Sequence, residues 1–403
     1  VSTPEGPYEL WSPEVTTNPF PLYARMRRET AVARSRHPSM EGPIWVVCRY
    51  QAAVDFLKDP RFAKSKQALS KESQRRYFRV SSLKHLDQHM LSADPPMHTR
   101  LRSLVAQAFT LRRVEALRPR ITAIAHQLLD RLPPQGHVDL LDAFAFPLPI
   151  TVIAELLGVP VEDQDRFREW TTTFLTPPKD GDLAPLRRMA QEFQAYLQDF
   201  LARRRADPQD DLASAMLAAE EQGDRLTPEE LMSMVFLLLV AGHETTVNLI
   251  GNGVWALLQH PGQLERLRAE PALLDSAVEE MLRYCGPVRH STSRFTTEAT
   301  EFHGQHIPAG QMLVAGLLSA NRDGGVFPEP ERFDIGRQPN RHIAFGSGIH
   351  FCLGAPLALL EARVSFRLLL ERLPGLRFAV DPATLRWRDS LLIHGLERLP
   401  VTF

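Results

Sequence analysis

Apolar and polar positions repeat with two different periods along this chain, and the changes of period mark its elements. Ile44 to Cys48 is a short apolar run that reads as a strand, and Tyr50 to Leu57 continues as a helix. A polar stretch of weak periodicity follows to about Ser92 and is expected to be mobile. From Asp94 the spacing becomes helical, with Asp94 as N-cap and Pro95 at the first helical position, and helices recur to about Gln222. One interruption, Thr176 to Pro185, gathers prolines, a glycine and aspartates, and suits a surface connection or lid.

Thr227, Pro228, Glu229 and Glu230 form a capping box that opens a helix running to His260, just before Pro261. Its roughly thirty residues would measure about 45 Å. Leu231 to Val240 is apolar almost all round, the pattern of a helix buried through a core. Beyond it the pattern predicts a helix from Pro271 to Tyr284, then strands around Thr296 to Phe302 and Gln311 to Ala315 with a His303-Gly304 turn between them. A last helix starts just after Cys352 and ends near Leu373-Pro374. The order is α+β and predominantly α-helical, with a small β-rich region and none of the regular alternation of a parallel sheet.

Composition narrows the function classes. The 403 residues are 44% hydrophobic and 24% charged, ordinary globular usage that excludes a disordered or fibrous chain. Neither a linker nor a repeat interrupts them, so one domain over residues 1–403 is expected, with 1–43 peripheral. The 47 Lys and Arg against 48 Asp and Glu leave no global field to favour nucleic acid or an acidic membrane. Cys48, Cys285 and Cys352 are too few and too irregularly spaced for a disulfide scaffold or a zinc site, and a reducing cytoplasm fits them. The longest apolar run, Met234 to Gly242, is about half a membrane span, and the first twenty residues lack the regions of a signal peptide. A soluble, unanchored protein is expected.

Four patterns could carry chemistry. Cys352 closes the glycine-rich run Phe345-Gly346-Ser347-Gly348-Ile349-His350-Phe351-Cys352-Leu353-Gly354, which leads straight into a helix. Tight turns aim backbone amides inwards and the helix N-terminus adds partial positive charge, so the sulfur is favoured as a thiolate, either nucleophile or metal ligand. A cysteine near glycines is, alone, more often a small buried apolar residue. The long helix carries Ala241-Gly242-His243-Glu244-Thr245-Thr246, where the glycine costs about 1 kcal/mol against alanine. A small residue there admits a flat or diatomic ligand, the Thr245 hydroxyl can bond back to the Ala241 carbonyl, and Glu244 beside it makes a proton relay; a close helix crossing explains the glycine equally well. Glu280 with Arg283, and His98 with Arg102, each share one helix face, which is usually only a solvated charged surface.

Taken together, the cysteine loop, the Ala241 to Thr246 run, Glu280 with Arg283, and the stretches Asn321-Arg322-Asp323 and Pro330-Glu331-Arg332-Phe333 strongly resemble the cytochrome P-450 family, in its soluble bacterial form. The resemblance spans roughly Ile44 to Phe403. It implies that family's fold, with the long helix over a haem b whose iron takes Cys352 as axial thiolate ligand, a ligand that favours O–O cleavage. It implies that His98, Arg102, Arg294 and His350 hold the haem propionates beside Phe345 and Gly346 of the loop. Glu244 and Thr245 would deliver protons for oxygen activation, with Ala241 and Gly242 lining the oxygen groove, and Glu280, Arg283 and Arg332 would form a buried charge triad under the cysteine loop.

The implied reaction inserts one oxygen atom from O2 into a small, largely apolar organic substrate. Electrons come from NAD(P)H through a separate ferredoxin and ferredoxin reductase, and the protein is expected to be a monomer. Substrate contacts are expected from the stretch before Ser92, the 176–185 lid, Leu237 to Val240, Val288 to Thr292 and Leu392 to His394, with Arg289, His290 and His394 as the titratable candidates. Arg100, Arg112, Arg113, Arg118, Arg120, Arg337 and Arg341 form a basic face for an acidic ferredoxin. The alternatives are a peroxide-driven hydroxylase, which Glu244 and Thr245 oppose, a catalytically silent haem-binding sensor or recruiting protein, and a cysteine hydrolase using Cys352 and His350, for which no oriented third group is suggested.

Overall fold

The computed structural model describes residues 8–36, 42–77, 86–175, 182, 184–221 and 226–403. The architecture is built on one 32-residue helix, Pro228–Gln259, whose capping box forms in both directions between Thr227 and Glu230. At 1.5 Å per residue it is about 48 Å long. It is long and apolar enough to cross a membrane, but it is a core helix, wrapped by the protein along most of its length.

Pro147–Leu157, Leu274–Cys285 and Ala355–Arg372 pack around it. Gly242 decides one of these crossings: a Cβ there would stand 2.7 Å from Cγ1 of Ile153, so an alanine would overpack the contact by about 1 to 3 kcal/mol. The glycine therefore serves the helix crossing as well as the groove expected from the sequence.

A five-stranded sheet lies to one side. Its order is Val32–Arg36, Pro43–Val47, Met312–Ala315, Arg294–Thr296, Phe62–Ala63, antiparallel except where Ile44 to Val47 run parallel to Met312 to Ala315. The strand expected over 296–302 is broken: Arg294–Thr296 joins this sheet, while Thr300–Phe302 turns at His303-Gly304 to pair with Gln305–Ile307. Both turn residues have positive φ, 45° and 79°, which releases the chain from the first strand's direction.

Other expectations need correcting. The early segment is not peripheral, because Leu10, Tyr23 and Met26 are buried and Val32–Arg36 is the sheet's edge strand. Asp94 does not cap a helix. Its carboxylate accepts from the backbone N–H of Lys64 and Ser65 at 2.8 to 3.0 Å, and the helix begins at Met97, past Pro95 and Pro96. The weakly periodic stretch holds a helix, Lys71–Tyr77, and a turn, Met90–Ser92, while residues 78–85 and most of the 176–185 connection lie outside the described residues. The sequence pattern missed a three-stranded sheet of His137–Asp139, Pro400–Thr402 and Arg377–Phe378, whose strands of two or three residues are too short to show a period.

Candidate active site

Between the long helix and the cysteine loop lies a cavity that opens to solvent, with about 1440 Å³ of empty space when the open part is counted. One wall is Ala241, Gly242, Thr245 and Thr246; the opposite wall is the loop from Phe345 to Gly354, including Cys352.

The loop's shape follows from its glycines. Gly346 and Gly348 both have φ of 74°, and a Cβ on Gly348 would lie 2.8 Å from the Leu57 carbonyl oxygen. The resulting turns are closed by hydrogen bonds from the Gly346 N–H to the Ile343 carbonyl (2.9 Å) and from the Cys352 N–H to the Phe345 carbonyl (3.0 Å). Cys352 is half-buried and lines the cavity, whereas Cys48 and Cys285 are buried elsewhere against backbone carbonyls, with thiols pushed up to about 12 by burial. Burial also raises the Cys352 thiol, against the pull of the Gly354 and Ala355 amides and of Arg102. A metal cation at the sulfur would favour the thiolate further.

Under the loop, Glu280 and Arg283 form a fully buried ion pair, 2.7 and 2.8 Å, on one helix face. Arg283 also donates to the carbonyls of Asn321, Pro330 and Arg332, and Glu280 accepts from the Asp334 N–H and from Asn340. The expected third member is a correction. The Arg332 side chain is 55% exposed, facing Glu329 and Asp334, and contributes only its carbonyl; the third guanidinium is Arg337, whose Nε lies 3.2 Å from Glu280 Oε1. Asp334 turns the chain between the two arginines, so the later one folds back inside.

At the other end of the cavity His98, Arg102, Arg294 and His350 come together as expected. The His98 and His350 rings stand 4.3 Å apart. Burial holds both imidazoles below their ordinary value, His350 down to about 2 with Lys64, Arg294, His98 and Arg102 adding to the effect. Both ring nitrogens of His98, Nε2 of His350 and Nε of Arg294 are buried without hydrogen-bond partners. Orphaned donors around an apolar slot, with a thiol opposite a helix groove, fit a flat iron-bearing cofactor with carboxylate arms. Lys64, which no motif marked, joins this cluster.

The Thr245 hydroxyl donates to the Ala241 carbonyl at 3.1 Å, as its spacing predicts. Glu244 is buried but turned away from the cavity, accepting from Arg388 and lying 3.8 Å from His243 Nε2. Adjacent helix positions differ by about 100°, so acid and alcohol face different sides. Of the expected substrate contacts, Met90, Leu91, Leu237, Leu238, Val288, Ser291 and Thr292 line the cavity. Arg289, His290 and His394 do not. Arg289 donates to the carbonyls of Val15 and Thr16, His290 bonds Tyr23 and the Leu391 carbonyl, and His394 is stacked on Trp387.

The Cytochrome P450 family profile matches residues 165–383, more than half of the chain and inclusive of the cysteine loop. The chain belongs to the cytochrome P450 family. It is 51% identical over 385 residues to cytochrome P450 107B1 of Saccharopolyspora erythraea, covering 94% of this chain and 93% of that one. It is 46% identical over 397 residues to the vitamin D(3) 25-hydroxylase of Pseudonocardia autotrophica, covering 98% and 96%. Among solved structures it matches a myxobacterial cytochrome P450, CYP267B1, in complex with myristic acid, with a TM-score of 0.95 and 50% identity over 98% of each chain. This P450 is a haem b monooxygenase with the α+β fold of the family.

Proposed function

We propose that this P450 oxidises a small, largely apolar organic molecule with O2, drawing electrons from NAD(P)H through a separate ferredoxin and reductase. The observation that carries the reading is the cavity itself, with Cys352 on one wall, the Ala241 to Thr246 groove on the other, and mainly aliphatic side chains between. Haem bound here supplies the oxygen-activating chemistry; Cys352 would hold it through its sulfur, with Arg102, Arg294, His98 and His350 at its propionates.

The chain's own contribution is proton delivery and exclusion of water. The Thr245 hydroxyl lies at the cavity wall and passes a proton inward, while Glu244 takes protons up on the side of Arg388 and must swing about its side-chain torsions to reach Thr245. Aliphatic walls at Leu237, Leu238 and Val288 position the apolar part of a substrate. The names of two relatives, one acting on vitamin D(3) and one binding myristic acid, support long apolar substrates. A cytoplasmic monomer of one domain completes the proposal.

An intact alcohol and acid pair favours this reading over a peroxide-driven hydroxylase or a silent sensor. The test has two steps: a strongly red-shifted Soret band of the reduced carbonyl complex, then a substrate screen by spin-state shift in which hits are turned over with NADPH, ferredoxin and reductase. A normal band with hits that give no oxygenated product under any donor would leave the sensor reading standing instead.

A further inference from the structure

Lys64 follows the two-residue strand Phe62–Ala63, whose pairing with Phe295 and Thr296 sets it beside Arg294 at the end of the neighbouring strand. Its side chain is buried in the cavity wall. Its ammonium donates to the Thr292 and Ser293 carbonyls, both at 3.1 Å, and to the Thr292 hydroxyl. These acceptors satisfy its hydrogens but are all neutral, so they leave its charge uncompensated.

The balance of charge on this wall points to a ligand. Lys64, Arg102 and Arg294 bring three cationic groups to the cavity, and among the described residues the lining contains no acid. The carboxylates that act on these cations lie behind the wall: Asp94, held by the backbone N–H groups of Lys64 and Ser65, acts on Lys64 and Arg294, and Asp59 acts on Arg294. The three cations stand beside imidazoles with unpartnered buried nitrogens on His98 and His350. A wall so arranged suits an anionic group. Burial, with repulsion from Arg294 added, pushes Lys64 below its ordinary value against the pull of Asp94.

We propose that Lys64 binds a carboxylate within this cavity, as a third cation beside Arg102 and Arg294. The proposal rests on the haem reading above. Two sources share the chemistry: a propionate of the haem, or the carboxylate end of a substrate lying over it.

The experiment compares wild type, Lys64→Met, Lys64→Gln and Lys64→Arg as holoproteins. One arm follows haem loss to an excess of apomyoglobin for protein carrying haem and for protein reconstituted with haem dimethyl ester, which lacks the charges. The other titrates the spin-state shift with tetradecanoic acid and with 1-tetradecanol. If the propionate is the ligand, Lys64→Met loses haem faster by about tenfold or more, the size of one charge-assisted hydrogen bond, with no change for the dimethyl ester. If the substrate carboxylate is the ligand, the acid weakens about tenfold and the alcohol does not. Lys64→Arg restores either property in part, and Lys64→Gln stands in where the methionine variant folds poorly.

Equal effects on charged and uncharged ligands, or none on either, would overturn the proposal and leave Lys64 as a tie between Ala63 and the 292–293 backbone. A wild type without the red-shifted carbonyl band would instead overturn the haem reading, and the propionate source with it, while the acid and alcohol arm still decides the other source.

Discussion

Arg337, not Arg332, completes the buried charge cluster: its Nε lies 3.2 Å from Glu280 Oε1 and its side chain is 8% exposed. It also donates to the carbonyls of Pro328, Glu329 and Arg332, so one guanidinium binds together the segment that leads into the cysteine loop. Removing it leaves Glu280 partly uncompensated in a dry site. Arg337→Ala is therefore expected to lose about 3 to 5 kcal/mol and much of its haem on purification. Arg332→Ala, which breaks only exposed pairs, should lose less than about 1 kcal/mol. Urea unfolding and haem content per chain check both; a larger loss from Arg332→Ala would reverse the assignment.

Cysteine substitutions should separate cleanly. Cys352→Ala is expected to abolish the red-shifted carbonyl band. Cys48→Ala and Cys285→Ala, whose thiols only donate to carbonyls, should keep the band and full turnover, with stability lower by roughly 1 kcal/mol each. The reduced carbonyl spectrum of the three variants is the measurement.

Thr245→Ala should bind substrate with an unchanged spin-state titration but release more peroxide and less product per NAD(P)H. Glu244→Gln should slow turnover more than it changes substrate binding, since its carboxylate is outside the cavity wall and paired with Arg388. Product and peroxide yields against NAD(P)H consumed test the pair, and unchanged coupling in Thr245→Ala would remove the alcohol from the relay.

Glu361 makes stability depend on pH. It is buried on Ala355–Arg372 with neither carboxylate oxygen in a sound hydrogen bond, and burial pushes it from the ordinary 4.5 up to about 8, with the nearby Thr246 hydroxyl pulling slightly the other way. The folded protein keeps this proton where the unfolded chain has released it. Its contribution is therefore complete below about pH 4.5 and is lost as pH rises to about 8. Glu361→Gln keeps the shape without the titration, so its thermal midpoint should fall less than that of wild type between those limits. Parallel profiles would sink the prediction.

The basic face proposed for a ferredoxin is smaller than the sequence suggested. Arg100 pairs with Glu230, Arg118 with Glu115, Arg120 with Glu155 and Arg337 with Glu280, whereas Arg112 and Arg113 are exposed and make no ion pair among the described residues. Arg112→Glu with Arg113→Glu should slow ferredoxin-driven reduction several-fold at low salt and flatten its dependence on ionic strength, because screening acts over about 8 to 10 Å. Stopped-flow reduction across a salt series is the check, and equal salt slopes would move the docking face elsewhere.

What the sequence determined by itself was local or tied to dense motifs. The Thr227 and Glu230 capping box, the all-apolar Leu231 to Val240 and the glycine spacing before Cys352 each act within a few residues, so their geometry is written in neighbouring positions. Tertiary structure alone decided the distant charge contacts that no motif marks. Arg388 reaches Glu244 across 144 positions, and Lys64 reaches Thr292 across 228. Arg337 displaced Arg332 because the turn at Asp334 reverses the chain between them. A side chain's periodicity tells which face of an element it occupies, but burial of a charge depends on what folds over that face. That is a property of the packed whole, and it places Lys64 inside the cavity and Arg332 at the surface.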